Sequence, residues 1–240
     1  MPRIFVDQAL SVGGSLVLEG SGARHVQVLR MQPGEEVTLF NGEGGEYRAA
    51  IERMGRSDVA VRVSAFVDRE AETLPRVHLL VGAPANERMD WLIEKATELG
   101  AASIWPVLTE RSVVRLSGDR ADKKAAHWQS IAQAACEQSG RNRVPTVHPM
   151  KPLRELLPAL PASAGVAHKR VLSLREGQVS TAPQPAPEDD IWLLNGPEGG
   201  LSAAEEQFAI DQGFTPTSLG PRVLRAETAA LAGLMRCLVR

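Results

Sequence analysis

The sequence predicts an α/β protein in two parts: a small β-barrel over residues 1–70, then a mainly parallel α/β domain over residues 76–240. Three observations predict this. Short β-rich runs fill the first part, and several alternate apolar with other residues, the period of half-buried strands. A polar stretch ending in proline, Asp68-Arg69-Glu70-Ala71-Glu72-Thr73-Leu74-Pro75, then breaks the pattern and reads as a linker. Beyond it, short apolar strands alternate with amphipathic helices, the order that builds parallel sheets.

In the first part the strand runs are 4–6, 15–18, 36–40, 46–51 and 59–63. Gly13-Gly14, Gly20, Pro33-Gly34 and Asn41-Gly42-Glu43-Gly44-Gly45 separate them, and Asn41-Gly42 is a hairpin signal. Val26, Leu29 and Arg30 follow a helical step, so one short helix is expected over 22–30. Five short strands suggest a small barrel, because closure removes exposed sheet edges.

In the second part, 77–81 reads as a strand and 88–99 as a helix with Met89, Leu92, Ile93, Ala96 and Leu99 on one face. Gly100 follows as its C-terminal stop. A strand over 103–108 and a long helix over 119–138 come next. Two further strands are expected at 165–167 and 191–194, with a mobile proline-rich surface loop between Leu174 and Asp190. Ser202 with Glu205 three positions later forms a capping box for a helix to Asp211, and 225–240 is a last, strongly apolar helix.

The formal net charge of −2 excludes a protein coated in basic residues. The basic groups gather instead at 109–143, with seven Lys/Arg against four Asp/Glu, and at 215–240, with four against one. Cys136 and Cys237 stand far apart and outside any Cys/His cluster, so neither a disulfide framework nor a metal site is expected. The N-terminus lacks the long apolar core of a secretory signal, and no run is long enough to span a bilayer; a cytoplasmic protein without membrane partners is expected.

Two segments carry the chemistry. Leu194-Asn195-Gly196-Pro197-Glu198-Gly199-Gly200-Leu201-Ser202 joins an apolar strand to a capped helix, and its glycines let backbone approach a ligand. Strand ends followed by helix N-termini are where open α/β sheets bind ligands. The segment matches neither a P-loop nor GxGxxG. The second, Ser218-Leu219-Gly220-Pro221-Arg222-Val223-Leu224-Arg225-Ala226-Glu227-Thr228, enters the last helix through a Gly-Pro turn. A helix dipole accounts for Glu227 but not for the cation Arg225.

Together the two segments resemble the signature of the SPOUT methyltransferases that modify N3 of a uridine in 16S ribosomal RNA. The resemblance continues in Met89-Asp90-Trp91-Leu92-Ile93-Glu94-Lys95-Ala96-Thr97-Glu98-Leu99-Gly100, in Glu110-Arg111-Ser112, in 135–145, in Pro2-Arg3-Ile4-Phe5 and in 25–30, and so spans nearly the whole chain. The chain departs from the commoner pattern at Asn195, where an aliphatic residue is usual.

The resemblance implies a PUA-like RNA-binding barrel, a SPOUT domain closed by a C-terminal trefoil knot, and a homodimer acting on 16S rRNA or the small ribosomal subunit. It implies S-adenosylmethionine as donor, held by Leu194, Gly196, Pro197, Glu198, Gly199 and Gly200, by Leu219, Gly220 and Leu224, and by Arg225, Glu227 and Thr228. A third loop near His168 would complete that pocket. Arg3, Arg30, Arg111, Arg141, Asn142 and Arg143 are the candidate RNA contacts. Arg141, Arg225 and Glu198 are the candidate catalytic groups. For Glu198 and Glu227 two readings stand open: proton acceptor or partner of the sulfonium, and simple partner of a helix N-terminus. Two other functions compete with the enzyme, a non-catalytic RNA-binding factor and a nucleotide-dependent oxidoreductase; the glycine signals fall at the wrong end of the chain for the latter.

Overall fold

The computed structural model describes residues 1–113, 118–174 and 185–239, and their contacts group into two units. The first comprises Met1–Glu72 with Gln133–Val144, so it draws a segment from far along the chain; the second comprises Thr73–Ala132 and Pro145–Arg240. Most of the expected proline-rich loop, residues 175–184, lies outside the described residues.

The first unit is a five-stranded sheet of β1 (Arg3–Phe5), β2 (Ser15–Leu18), β3 (Glu36–Phe40), β4 (Glu46–Met54) and β5 (Val59–Val67), with helix α1 (Gly20–Val28). The strands pair in the order β1-β3-β4-β5-β2, antiparallel except for β1 with β3. The period-2 residues decide the inner face: Val59, Val61 and Val63 of β5 are buried beside Leu39, Ala49 and Ile51. Ile4 of β1 and Leu18 of β2, from opposite ends of the pairing order, share this core with Ala23 and Val26 of α1. The expected barrel is therefore a rolled sheet with α1 filling its gap. Gly22 makes the fit possible, since a Cβ there would lie 3.1 Å from Ile4 Cγ2 and 3.9 Å from Leu18 Cβ. The hairpin expected at Asn41-Gly42 joins β3 to β4 through the five residues 41–45.

The second unit holds a parallel sheet of β6 (Arg76–Gly82), β7 (Ser103–Leu108), β8 (Thr146–Val147), β9 (Lys151–Pro152), β10 (Ala167–Leu172), β11 (Asp190–Asn195) and β12 (Thr215–Thr217). The order is β12-β10-β11-β6-β7-β8, with β9 also beside β7. β11 is buried at every position, the near-continuous apolar pattern of a strand covered on both faces. Helix α2 (Asn86–Glu98) buries Met89, Leu92, Ile93 and Ala96 completely, each large side chain contributing about 1.5–3 kcal/mol of transfer free energy. Helix α3 (Asp119–Ser139) and a short α4 (Leu153–Leu156) precede β10. Helix α5 (Ala203–Asp211) has the full capping box: Ser202 accepts from Glu205 N, and Glu205 accepts from Ser202 N at 2.9 Å. No helix among the described residues is long and apolar enough to cross a membrane.

Two details differ from expectation. The strand expected at 165–167 lies at Ala167–Leu172, because Lys169 and Arg170 interrupt its apolar pattern. Lys169 reaches out to the Gln212 carbonyl at 3.1 Å and over the Phe214 ring, a charged tip on an apolar stem. The last helix, α6 (Ala226–Leu238), packs against β6, β11 and α2, although β12 just before it pairs at the sheet edge beside β10. Ala230, Leu231, Gly233 and Leu234 are buried against the chain's own sheet and helices.

Candidate functional site

Strands that run parallel end on one side of their sheet, and the chain segments leaving β10, β11 and β12 meet there. They enclose a cavity of about 210 Å³. Leu172 to Leu174 form one wall, Asn195 to Leu201 a second, and Thr217 with Leu219, Gly220, Arg222, Val223 and Leu224 a third, closed by Ala226 and Ala229 of α6. Gly196, Pro197, Glu198, Gly199, Gly200, Leu219, Gly220 and Leu224, expected at a donor site from the sequence, are thus brought together. Leu194 is not among them: it is fully buried within β11. The third wall-forming loop follows β10 at Leu172; His168 sits near the opposite end of that strand, 2.8 Å from Asp189.

The glycines act in different ways. A Cβ on Gly196 would fall 2.7 Å from Leu201 N and 2.8 Å from Gly200 C, so this turn closes only on glycine. Gly82, at the end of β6, is equally constrained, with Pro197 Cδ 2.5 Å from its Cβ position. A Cβ on Gly199 would touch the Arg111 stem at 3.2 Å, and Arg111 donates to the Gly199 carbonyl at 2.7 Å. Gly220, by contrast, has φ +107 and open space where its Cβ would stand.

Two polar links hold the site. Asn195, where the departure from the commoner pattern falls, is buried and donates from Nδ2 to the Ala226 carbonyl at 2.9 Å, tying the end of β11 to the start of α6. Glu198 Oε1 accepts from the Ala85 backbone N–H at 3.1 Å and from Arg88 at 3.3 Å. Ala85 is the N-cap of α2 and has no capping side chain of its own, so Glu198 caps that helix from the neighbouring loop.

Arg225, Glu227 and Thr228 do not line this cavity. With Glu87, Arg88 and Trp91 they line a second one beside it. Trp91 and the second cavity carry no local sequence signal, since a tryptophan on an amphipathic helix reads as core.

The remaining candidates belong to the first unit, Arg111 excepted. Arg141 is 4% exposed and paired with Glu72, its Nε 3.0 Å from Oε1. Asn142 is fully buried, donating to the Arg69 carbonyl and accepting from Arg3 at 2.7 Å. Arg3 also pairs with Glu46. Arg141, Asn142 and Arg3 thus form an internal network, whereas Arg30 is exposed and Arg143 meets solvent beside Glu70 at 3.0 Å.

A cluster toward the N-terminal ends of the second unit's strands is separate from the cavities. His148 stacks on Trp105, His78 stacks on Trp192, and Ser103 Oγ lies 2.7 Å from both His78 Nδ1 and Trp105 Nε1. Burial, with help from His78 and Lys151, pushes the His148 imidazole down to about 4. Burial would push the Asp190 carboxyl up, but hydrogen bonds from His78 and Arg76 help to hold it below the usual range.

The first cavity combines apolar walls (Leu172, Leu201, Leu219, Leu224) with glycine backbone and one carboxylate, Glu198. Apolar walls suit the flat face of a nucleobase, exposed main-chain groups suit its edge, and a carboxylate suits a cation. This fits an adenosyl sulfonium and lacks a P-loop's lysine for phosphates.

Comparison with known proteins agrees. Residues 71–237 match the model of an RNA methyltransferase domain, and residues 18–64 that of an RNA methyltransferase PUA domain. The chain is similar to ribosomal RNA small subunit methyltransferase E of Bacillus subtilis, 31% identical over 98% of this chain and 94% of the relative. It is similar to the crystal structure of ribosomal RNA small subunit methyltransferase E from Neisseria gonorrhoeae bound to S-adenosylmethionine, with TM-score 0.90 and 35% identity over 98% and 96% of the two chains. A Legionella pneumophila chain described as a methyltransferase, also with S-adenosylmethionine bound, superposes with TM-score 0.91 at 36% identity over the same shares.

Proposed function

The chain belongs to the ribosomal RNA small subunit methyltransferase E family, and from that membership and its site we propose that it methylates N3 of a uridine in 16S ribosomal RNA with S-adenosylmethionine as donor. The observation that carries this is the glycine-built cavity where the segments after β10, β11 and β12 meet α6. S-adenosylmethionine, when bound, supplies a methyl group already activated by its sulfonium. The protein's own contribution is therefore to position, exclude water and assist loss of the N3 proton.

In this proposal Gly196, Pro197, Gly199, Gly200, Leu219, Gly220 and Leu224 hold the donor, and Glu198 both caps α2 and presents its second oxygen to a positive centre. Uridine N3 lies on the Watson–Crick edge, so the base reaches the site only unpaired. Of the candidate RNA contacts in the PUA-like unit, Arg30 and Arg143 are the exposed ones, free to meet backbone phosphates. The working form is a homodimer with its C-terminal segment knotted, acting in the cytoplasm on the small subunit or its RNA.

The test is transfer itself. Small-subunit RNA lacking the modification is incubated with the enzyme and labelled S-adenosylmethionine, digested to nucleosides and analysed by mass spectrometry. One 3-methyluridine per RNA is expected; label on a ribose or on another base sinks the proposal. Sedimentation at micromolar and nanomolar concentration, run beside activity, tests the dimer.

A further inference from the structure

Glu227 is only 8% exposed, and its Oε2 is buried without a hydrogen-bond partner. A helix dipole favours an acid in the first turn of α6, but it does not explain an acceptor withdrawn from water and left without a donor. The residue lines the second cavity, whose other walls are Trp91, Arg88, Glu87, Arg225 and Thr228. Trp91 is 46% exposed, a large ring kept at the surface where no core needs it.

The two cavities share a wall. Along the start of α6, Leu224, Ala226 and Ala229 face the first, while Arg225, Glu227 and Thr228 face the second. The Arg88–Glu198 pair, at 3.3 Å, joins a residue of the second cavity to one of the first. A two-substrate transfer needs donor and acceptor sites that adjoin, so that the two reactants can meet, and these cavities adjoin at the first turn of α6.

We infer that the second cavity receives the acceptor base. Trp91 offers its ring face to the pyrimidine, and Glu227 Oε2 accepts the imide N–H of its Watson–Crick edge. This rests on the uridine N3 acceptor proposed above. The proton passes from N3 to Oε2, the carboxylate becomes a carboxylic acid, and the electron pair stays on N3 as the nucleophile. Arg225, exposed at the N-cap of α6 and without an ion pair among the described residues, stands beside the cavity for the adjoining phosphate.

The experiment compares Glu227→Gln, Trp91→Ala and Trp91→Phe with the wild type. Each is measured for thermal midpoint, S-adenosylmethionine affinity by calorimetry, and kcat and KM for unmodified small-subunit RNA across pH. Glu227→Gln is expected to lower kcat about 100-fold and to leave donor affinity within about twofold. Trp91→Ala is expected to raise KM for RNA about tenfold, with Trp91→Phe restoring most of it, since stacking needs any aromatic face. Wild-type kcat in Glu227→Gln, or a loss of its donor affinity, overturns the inference, as does an unchanged KM in Trp91→Ala. Should Glu227→Gln not fold, the Trp91 pair decides. A wild-type enzyme that methylates some other atom removes the uridine reading instead, and the nucleoside analysis shows that before any variant is made.

Discussion

Arg111 Nη1 donates to the Gly199 carbonyl at 2.7 Å, and its stem occupies the space a side chain at 199 would need. A cation expected among the RNA contacts therefore braces the glycine loop. Charge-assisted bonds contribute about 1.5–3 kcal/mol when shielded, and exposure of Arg111 reduces this to roughly 1 kcal/mol. Arg111→Ala should weaken S-adenosylmethionine binding roughly fivefold, read by calorimetry. Unchanged affinity would show that the loop holds its shape without the arginine.

Gly196→Ala should be more damaging. Its Cβ would fall 2.7 Å from Leu201 N, an overlap with backbone that no rotamer relieves. A loss of about 1–3 kcal/mol in urea unfolding is expected, with donor binding weakened beyond that of Arg111→Ala. A variant as stable as the wild type would mean the turn can open without cost.

Much of this architecture was legible in the sequence because period and capping agree locally. Val59, Val61 and Val63 announce a half-buried strand, and Ser202 with Glu205 announces a helix start; both stand where expected. The glycine loops that line the first cavity were legible for the same reason, glycines between a strand and a cap. Non-local geometry was not. Nothing in the spacing of Arg141 reveals that Glu72 reaches it, and nothing around Trp91 or Glu227 reveals a shared cavity. The family resemblance pointed Arg3, Arg141 and Asn142 toward RNA, whereas burial commits them to one another.

Arg141→Met should therefore act on stability. Removing one partner of a buried ion pair leaves the other charge uncompensated, at a cost of about 3–5 kcal/mol. The thermal midpoint should fall by several degrees while donor affinity, measured below it, stays constant. Arg143→Ala should show the reverse pattern, unchanged stability with weaker RNA binding and a shallower salt dependence. Full stability in Arg141→Met would return that residue to the RNA candidates.

Stability should also fall in mild acid. The folded His148 titrates at about 4 against 6.5 for the free side chain, so the unfolded chain binds the extra proton first. Its contribution is fully present above about pH 6.5 and is lost as the pH falls toward 4. Urea midpoints at several pH values should decline over that window, and His148→Gln should flatten the decline. An equal slope in both proteins would assign the acid sensitivity to other groups.

The central claim is that the cavity between the glycine loops and α6 holds the methyl donor. Its most direct test is a calorimetric titration of wild type and Ala229→Trp with S-adenosylmethionine, because Ala229 lines the cavity from α6 and a large ring there fills it. The account predicts stoichiometric binding by the wild type and at least a 100-fold loss in a variant that remains folded. Wild-type affinity in folded Ala229→Trp would place the donor elsewhere.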